Sequence, residues 1–281
     1  MQKLFQPLLL VLFGVHAQAN LIAHWALDDA SGSTTLADSS GHGHNATEAG
    51  GGAGLTLGGA GVSGQAASFN GSGFFATANS PQLAPRNLTV SFWMKADSST
   101  ATWRTPVSNR NGEDGFIFYR RQNADSMTFW MKGPGGPGNW NAQDSAPITD
   151  FSQWYHVVGS YDDTTREKKF YFHGQNDAWG TTILSMTTTG AYHINSQSLG
   201  IGARGASGAL PWGGGANAQL LDDVQYYDTA LTDSQVQFLF NNPGVAIPEP
   251  STAGLLGLGV LMAGGLHRLR RKDRAWIGRS V

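Results

Sequence analysis

Cysteine is absent from the 281-residue chain. This excludes a disulfide framework and all thiol chemistry, so an exported fold would have to rest on a large core, with or without a metal. Charge is scarce too, at 14% of residues, which argues against a helical or disordered chain. Glutamate is confined to Glu48, Glu113, Glu167 and Glu249. No G-x-S-x-G, H-E-x-x-H or phosphate-loop pattern occurs, which removes the hydrolase, zinc-protease and nucleotide-binding readings those motifs carry.

What is present is glycine and large aromatics, the profile of a turn-rich β protein. Residues 154–174 carry the clearest pattern. Tyr155, Val157, Gly159 and Tyr161 share one face of a first alternating run, and Phe170 and Phe172 share one face of a second. Asp162, Asp163 and Thr164 between them are turn formers, because short polar side chains hydrogen-bond their own backbone. An aromatic hairpin of this kind needs a strand on each side and a second sheet beneath it. Further strands are expected over 21–27, 88–96, 116–120, 127–131, 181–186, 198–201 and 219–227. A weak strand is expected within the glycine-rich 50–64, and a hairpin around Asn70-Gly71. Thr232 and Gln235 form a capping box that opens one short helix, stopped by Pro243.

Both ends read as addresses. Lys3, the apolar run 8–15 and Ala17-Gln18-Ala19 have the form of a signal peptide, residues 1–19. The mature domain is expected over 20–243, followed by a linker at 244–251. An uncharged span at 252–267 would be a short transmembrane helix, and the basic 268–281 would face the cytoplasm. Pro248-Glu249-Pro250, the apolar span and the Arg-rich end together resemble a PEP-CTERM sorting tail. That resemblance implies an exosortase-type sorting protease as partner and transient anchoring in the inner membrane of a Gram-negative bacterium. Delivery to the cell surface or extracellular matrix would follow. Between residues 20 and 247 acidic side chains outnumber basic ones, which argues against nucleic acid.

In order along the chain stand LIAHWALDDASGSTTLADSSGHGHNAT, AASFNGSGFFAT, LTVSFWMKA, WYHVVGSYDDTTREKKFYFHG, LGIGAR and LLDDVQYYDTALTDSQV. This series resembles a laminin-G-like, concanavalin A-like jelly roll of the bacterial type, over about residues 21–240. The resemblance implies an all-β sandwich of two antiparallel sheets and non-enzymatic binding of glycans or proteins. His42 and His44 depart from it, in a loop that is often Asn-rich in the family, and so does Phe75.

Candidate chemistry follows. Ca²⁺ takes six to eight oxygens from carboxylates and loop carbonyls. With the chain ends brought together, Asp28, Asp38 and Asp222 are candidates to share one structural calcium. The competing reading is that the three only brace turns and neighbouring backbone. His42 and His44 begin no complete zinc site. Hydrolases of this shape commonly carry an E-x-D-x-x-E strand, and none exists here, so the chain reads as a non-enzyme. Trp103, Trp140, Trp179 and Trp212 lie in Gly-, Pro- and Asn-rich connections and are candidates to stack on sugar rings, Trp140 and Trp212 being the most exposed expected. Trp25, Trp93, Trp130 and Trp154 are assigned to strands, mostly as core or near-core. The expected work is adhesion to extracellular polysaccharide or matrix protein. A structural matrix protein without a defined ligand is the alternative, and a glycan hydrolase or lyase a more distant one.

Overall fold

A computed structural model describes residues 19–51, 54–97, 102–112, 114–133, 140–180, 183–214 and 218–248. Residues 1–18 of the expected leader (1–19), Glu249, Pro250, the expected transmembrane span and the basic tail lie outside the described residues. In chain order the strands are β1 Leu21–Trp25, β2 Thr35–Leu36, β3 Ala46–Ala49, β4 Leu55–Ala60, β5 Gln65–Phe69 and β6 Phe74–Thr77. They continue with β7 Leu88–Lys95, β8 Val107–Ser108, β9 Phe116–Arg120, β10 Ser126–Lys132 and β11 Trp140–Pro147. The last five are β12 Tyr155–Tyr161, β13 Glu167–Gly174, β14 Ile183–Thr187, β15 Gly200–Ile201 and β16 Gln219–Tyr227. The α-helix α1, Asp233–Asn241, follows β16 directly.

The strands form two antiparallel sheets. One runs β14-β13-β12-β7-β16-β5-β4, with β1 also on β16; the other runs β11-β10-β9-β8-β15-β6-β3-β2. The fold is therefore the all-β sandwich expected. The central hairpin β12–β13 has β7 and β14 as its neighbours, and its register pairs Val157 with Phe172 and Gly159 with Phe170. Asp162 Oδ1 closes its turn by accepting the Thr164 N–H at 2.7 Å.

Alternation fills the core from both layers. Val90, Phe92, Val157, Phe170 and Phe172 of the first sheet meet Phe116, Phe118, Met127, Phe129 and Met131 of the second. Phe118 stacks on Phe129 at 4.6 Å between ring centroids. Lys168 also enters this interior from β13: its Nζ donates to the Phe129 and Asn141 carbonyls, each at 2.6 Å, tying the sheets together. Burial drives its amine well below the ordinary lysine range.

Two local expectations change. The segments around Asn70-Gly71 are not a hairpin: β5 belongs to the first sheet and β6 to the second, so the chain crosses layers there. Phe69 and Phe75 are both fully buried by that crossing. Gly71 permits it because a Cβ there would lie 2.8 Å from the Gly214 backbone. The second change is β11, which sits in a segment whose Gly, Asn and Pro content reads as a connection. On the first sheet's outer face, α1 lies over Tyr171, Tyr227 and Trp93, with Val236 and Leu239 buried beneath it. Thr232 and Gln235 cap it reciprocally, as the sequence pattern requires.

Candidate functional site

The outer face of the second sheet is the side that can present chemistry. In β9 and β10 alternation sends Phe116, Phe118, Phe129 and Met131 inward, leaving Tyr119 and Trp130 on the opposite face. Trp103 arrives from the preceding connection and closes a three-ring cluster on that face. Its ring lies edge-on to Tyr119 at 5.3 Å and to Trp130 at 5.8 Å, while Tyr119 meets Trp130 at 5.4 Å. Tyr119 is buried and forms the base, whereas Trp103 and Trp130 are half-buried and offer indole surface outward.

Polar groups frame the rings. The Arg121 guanidinium lies 5.7 Å from the Trp103 ring centre and pairs with Asp144 of β11; both side chains are 39% exposed. Arg110 donates to the Tyr119 hydroxyl at 3.0 Å. Trp130 Nε1 donates to Thr128 Oγ1 at 2.7 Å, and Thr128 in turn donates to the Gln143 carbonyl, so Trp130 is fixed in orientation. The result is a rigid aromatic surface with a donor and an acceptor at its edge. Flat apolar rings flanked by an Arg–carboxylate pair suit a ligand with C–H faces and hydroxyl edges.

The four expected loop tryptophans therefore part company. Trp103 belongs to the cluster. Trp140 opens β11, in register with Lys132. Trp179 instead covers the first sheet, its ring 4.6 Å from His173 and 5.8 Å from Phe240. Trp212 is the correction: it is 0% exposed and part of the main core. The glycines after it do not lift the indole to a rim; Gly213 and Gly214 let the backbone lie against Phe69–Gly71 and carry Trp212 inward. Trp130, Tyr119, Arg121 and Asp144 were not singled out from the sequence. The signal for Trp130 was available, since it alternates with Phe129 and Met131 on the polar side of its strand.

Nor are the three aspartates brought together. Asp38 accepts from His24 N–H and Ser40 N–H through Oδ1 and from His44 N–H through Oδ2. Burial opposes its charge, but these bonds hold the carboxyl below its ordinary range. Asp28 Oδ1 accepts from Gln65 N–H at 2.5 Å, and Asp222 Oδ2 from Val62 and Ser63 N–H at 2.8 and 3.1 Å. Asp28 and Asp222 thus grip the turn between β4 and β5, while Asp38 braces a separate loop. Among the described residues no three His, Asp or Glu side chains gather as a metal cluster. Each of the three carboxylates holds backbone N–H groups through at least one oxygen, the turn-bracing role that competes with a shared ion.

The neighbouring acid Asp223 has both carboxylate oxygens occupied, whereas Asp222 Oδ1 is buried without a hydrogen-bond partner among the described residues. Asp223 Oδ1 meets His24 Nε2 at 2.8 Å and accepts from Gln225 at 2.8 Å, and its Oδ2 accepts from Gly244 N–H. Burial pushes the Asp222 carboxyl up to about 8. The pair marks a β-bulge in β16, with Asp223 at φ 49°, and both side chains are buried.

Comparison with known proteins agrees with this architecture. Domain 4 of AbnA, an extracellular GH43 arabinanase from Geobacillus stearothermophilus solved with arabinotriose, is 22% identical, with a TM-score of 0.54 over 79% of this chain and 98% of that one. The binding domain of botulinum neurotoxin DC, solved with rat synaptotagmin II, is 16% identical, with a TM-score of 0.57 over 79% of this chain and 51% of that one. A botulinum neurotoxin type C structure, described as entering cells through two ganglioside molecules, is 14% identical, with a TM-score of 0.55 over 79% and 51%. At these identities the likeness establishes the fold, and the chain spans about half of each toxin domain. No curated protein matches the chain in sequence. A family model described as the concanavalin A-like lectin/glucanases superfamily matches residues 69–237. The chain belongs to that superfamily, in its Laminin_G_3 branch.

Proposed function

We propose that this protein is a non-catalytic module that binds extracellular polysaccharide on the outer face of its second sheet. The observation that carries the reading is the meeting of Trp103 and Trp130 over Tyr119, with Arg121 and Asp144 at the edge. Indole faces stack on sugar C–H surfaces, and the charged pair takes hydroxyls. The related domain solved with arabinotriose and the ganglioside-dependent toxin make a carbohydrate the first ligand class to test. The non-catalytic part of the reading draws support from the sequence, which has no E-x-D-x-x-E strand.

Location completes the proposal. Residues 1–19 act as an export leader, and the tail holds the domain at the inner membrane until an exosortase-type protease acts beside Pro248-Glu249-Pro250. Among the described residues no helix is long and apolar enough to cross a membrane. Replacing the three residues with alanine is expected to leave the chain in the membrane fraction; undiminished release would refute the sorting role. For binding, affinity electrophoresis in polysaccharide gels is the test. Trp103→Ala and Trp130→Ala are each expected to weaken retention measurably, each removing an indole face from the platform. Retention equal to the parent protein in both variants would refute the platform.

A further inference from the structure

A second cleft lies among elements that take no part in the aromatic platform. It has a volume of about 270 Å³ and sits between the start of β1, the loop carrying His42, and the 3₁₀ turn Pro81–Leu83. Asp228, Asn20, Gln82 and His42 supply its polar groups, and Ile22 and Pro81 supply apolar wall.

Local structure holds the backbone at each of these residues, and the Asn20 and Asp228 side chains also hold each other. Asn20 and Asp228 extend the β1–β16 pairing: Asp228 N–H donates to the Asn20 carbonyl at 3.1 Å, and Asn20 Nδ2 donates to Asp228 Oδ2 at 2.7 Å. Gln82 stands on the 3₁₀ turn, whose N-cap Ser80 accepts the Gln82 N–H at 3.2 Å. His42 follows the turn braced by Asp38, its own N–H donating to Ser40 Oγ at 3.3 Å. Ser40 in turn donates to the Ile22 carbonyl, joining that loop to the cleft's apolar wall. Asp228 Oδ1 also accepts from Thr229 Oγ1 at 2.9 Å, so the Asn20–Asp228 edge is pre-formed, which lowers the ordering cost there.

Its chemistry narrows the ligand. Asp228 disfavours an anion, and a single carboxylate is too few for a calcium or magnesium ion. Each Asp228 oxygen keeps a second lone pair to accept from one hydroxyl, and the second N–H of Asn20 can donate to its neighbour, the pattern an adjacent diol requires. The volume falls just below the roughly 300–1,000 Å³ of drug-sized sites, enough for one ring. We infer that this cleft is a second glycan subsite that takes a single neutral sugar unit, making the domain bivalent. It borrows its ligand class from the proposed polysaccharide binding but shares no residue with the aromatic platform. Two weak sites on one domain would cross-link or grip a polymer more firmly than either alone.

The test is nuclear magnetic resonance of the purified full-length chain. Methyl glycosides of glucose, galactose, mannose, arabinose and N-acetylglucosamine are titrated to tens of millimolar. At least one is expected to shift the Asn20 and Gln82 side-chain amides. Asp228→Ala and Gln82→Ala should each weaken that response about tenfold, and Trp103→Ala should leave it intact. Gln82 is exposed, so its variant keeps the test meaningful if Asp228→Ala lowers stability. No shift at these amides with any glycoside, or a response unchanged in both cleft variants, would overturn the subsite. Loss of the response in Trp103→Ala would also overturn it, by showing one site rather than two. Survival of the response when Trp103→Ala leaves polysaccharide retention unchanged would sustain the cleft and sink the platform alone.

Discussion

A methyl group at Gly159 would lie 2.6–2.7 Å from the rings of Phe118 and Phe129, which belong to the opposite sheet. Those rings are stacked on one another and packed by Phe170, so they have little room to withdraw. Gly159→Ala is expected to cost ~1–3 kcal/mol by overpacking, read as a lower urea midpoint at unchanged slope. An unchanged midpoint would show that the two layers are not pressed together here. Trp212 gives the converse case. As a fully buried indole its truncation to alanine should cost ~3–5 kcal/mol, measured in the same way. Stability equal to the parent chain would restore Trp212 to the surface. Gly159 was placed correctly by alternation alone, because a strand's period puts it with Val157 and Tyr161. Trp212 was not, because the glycines beside it signal a turn without saying which way the flanking side chain points.

At the scale of elements, strands and the helix α1 were legible wherever period or capping chemistry was strong: β7, β9, β10, β12, β13, β16 and α1. Short strands β2 and β8 and the polar β11 carry no such period, and their pairing is set by neighbours distant in sequence. The aspartates were legible as turn-bracing residues: Asp28 and Asp222 hold the same turn and Asp38 a separate loop. Because each carboxylate already holds backbone N–H groups through at least one oxygen, EDTA is expected to leave the melting temperature unmoved. A fall under EDTA, with calcium found by elemental analysis, would contradict that role. The cover formed by α1 makes a pH statement possible. His156 lies fully buried beneath Trp93 and Phe240, accepting or donating only at Ser91 Oγ, 2.8 Å away. Burial depresses its imidazole to about 3, with Asp223 opposing and His173 adding to the effect. The unfolded chain takes up a proton below about pH 6.5 while the folded chain does not until about pH 3. Stability from this group is therefore lost as pH falls from 6.5 to 3. Asp222 acts with opposite sign: its burial-raised carboxyl, about 8 against 3.8, loses its contribution as pH rises toward 8. His156→Phe should flatten the acid limb and Asp222→Asn the limb between pH 6.5 and 8, each followed by denaturant midpoints. Limbs that keep the parent slopes would refute these assignments.

For the whole molecule, two curved layers leave different faces free. The first sheet is covered by α1 and by Trp179, so the binding we propose falls on the second sheet's outer face and on the cleft beside β1. The superfamily was legible in the order of strand motifs, and the site only in part. Trp103 stood out as an aromatic in a connection, but its partners are assembled from three strands and a loop, a juxtaposition no local pattern contains. The most direct measurement is an indole N–H spectrum of the nine tryptophans during titration with a soluble polysaccharide that the protein retains. The signals of Trp103 and Trp130 are expected to shift together while Trp93 and Trp212 stay fixed. Shifts confined to other tryptophans, with Trp103 and Trp130 unmoved at saturation, would contradict the platform.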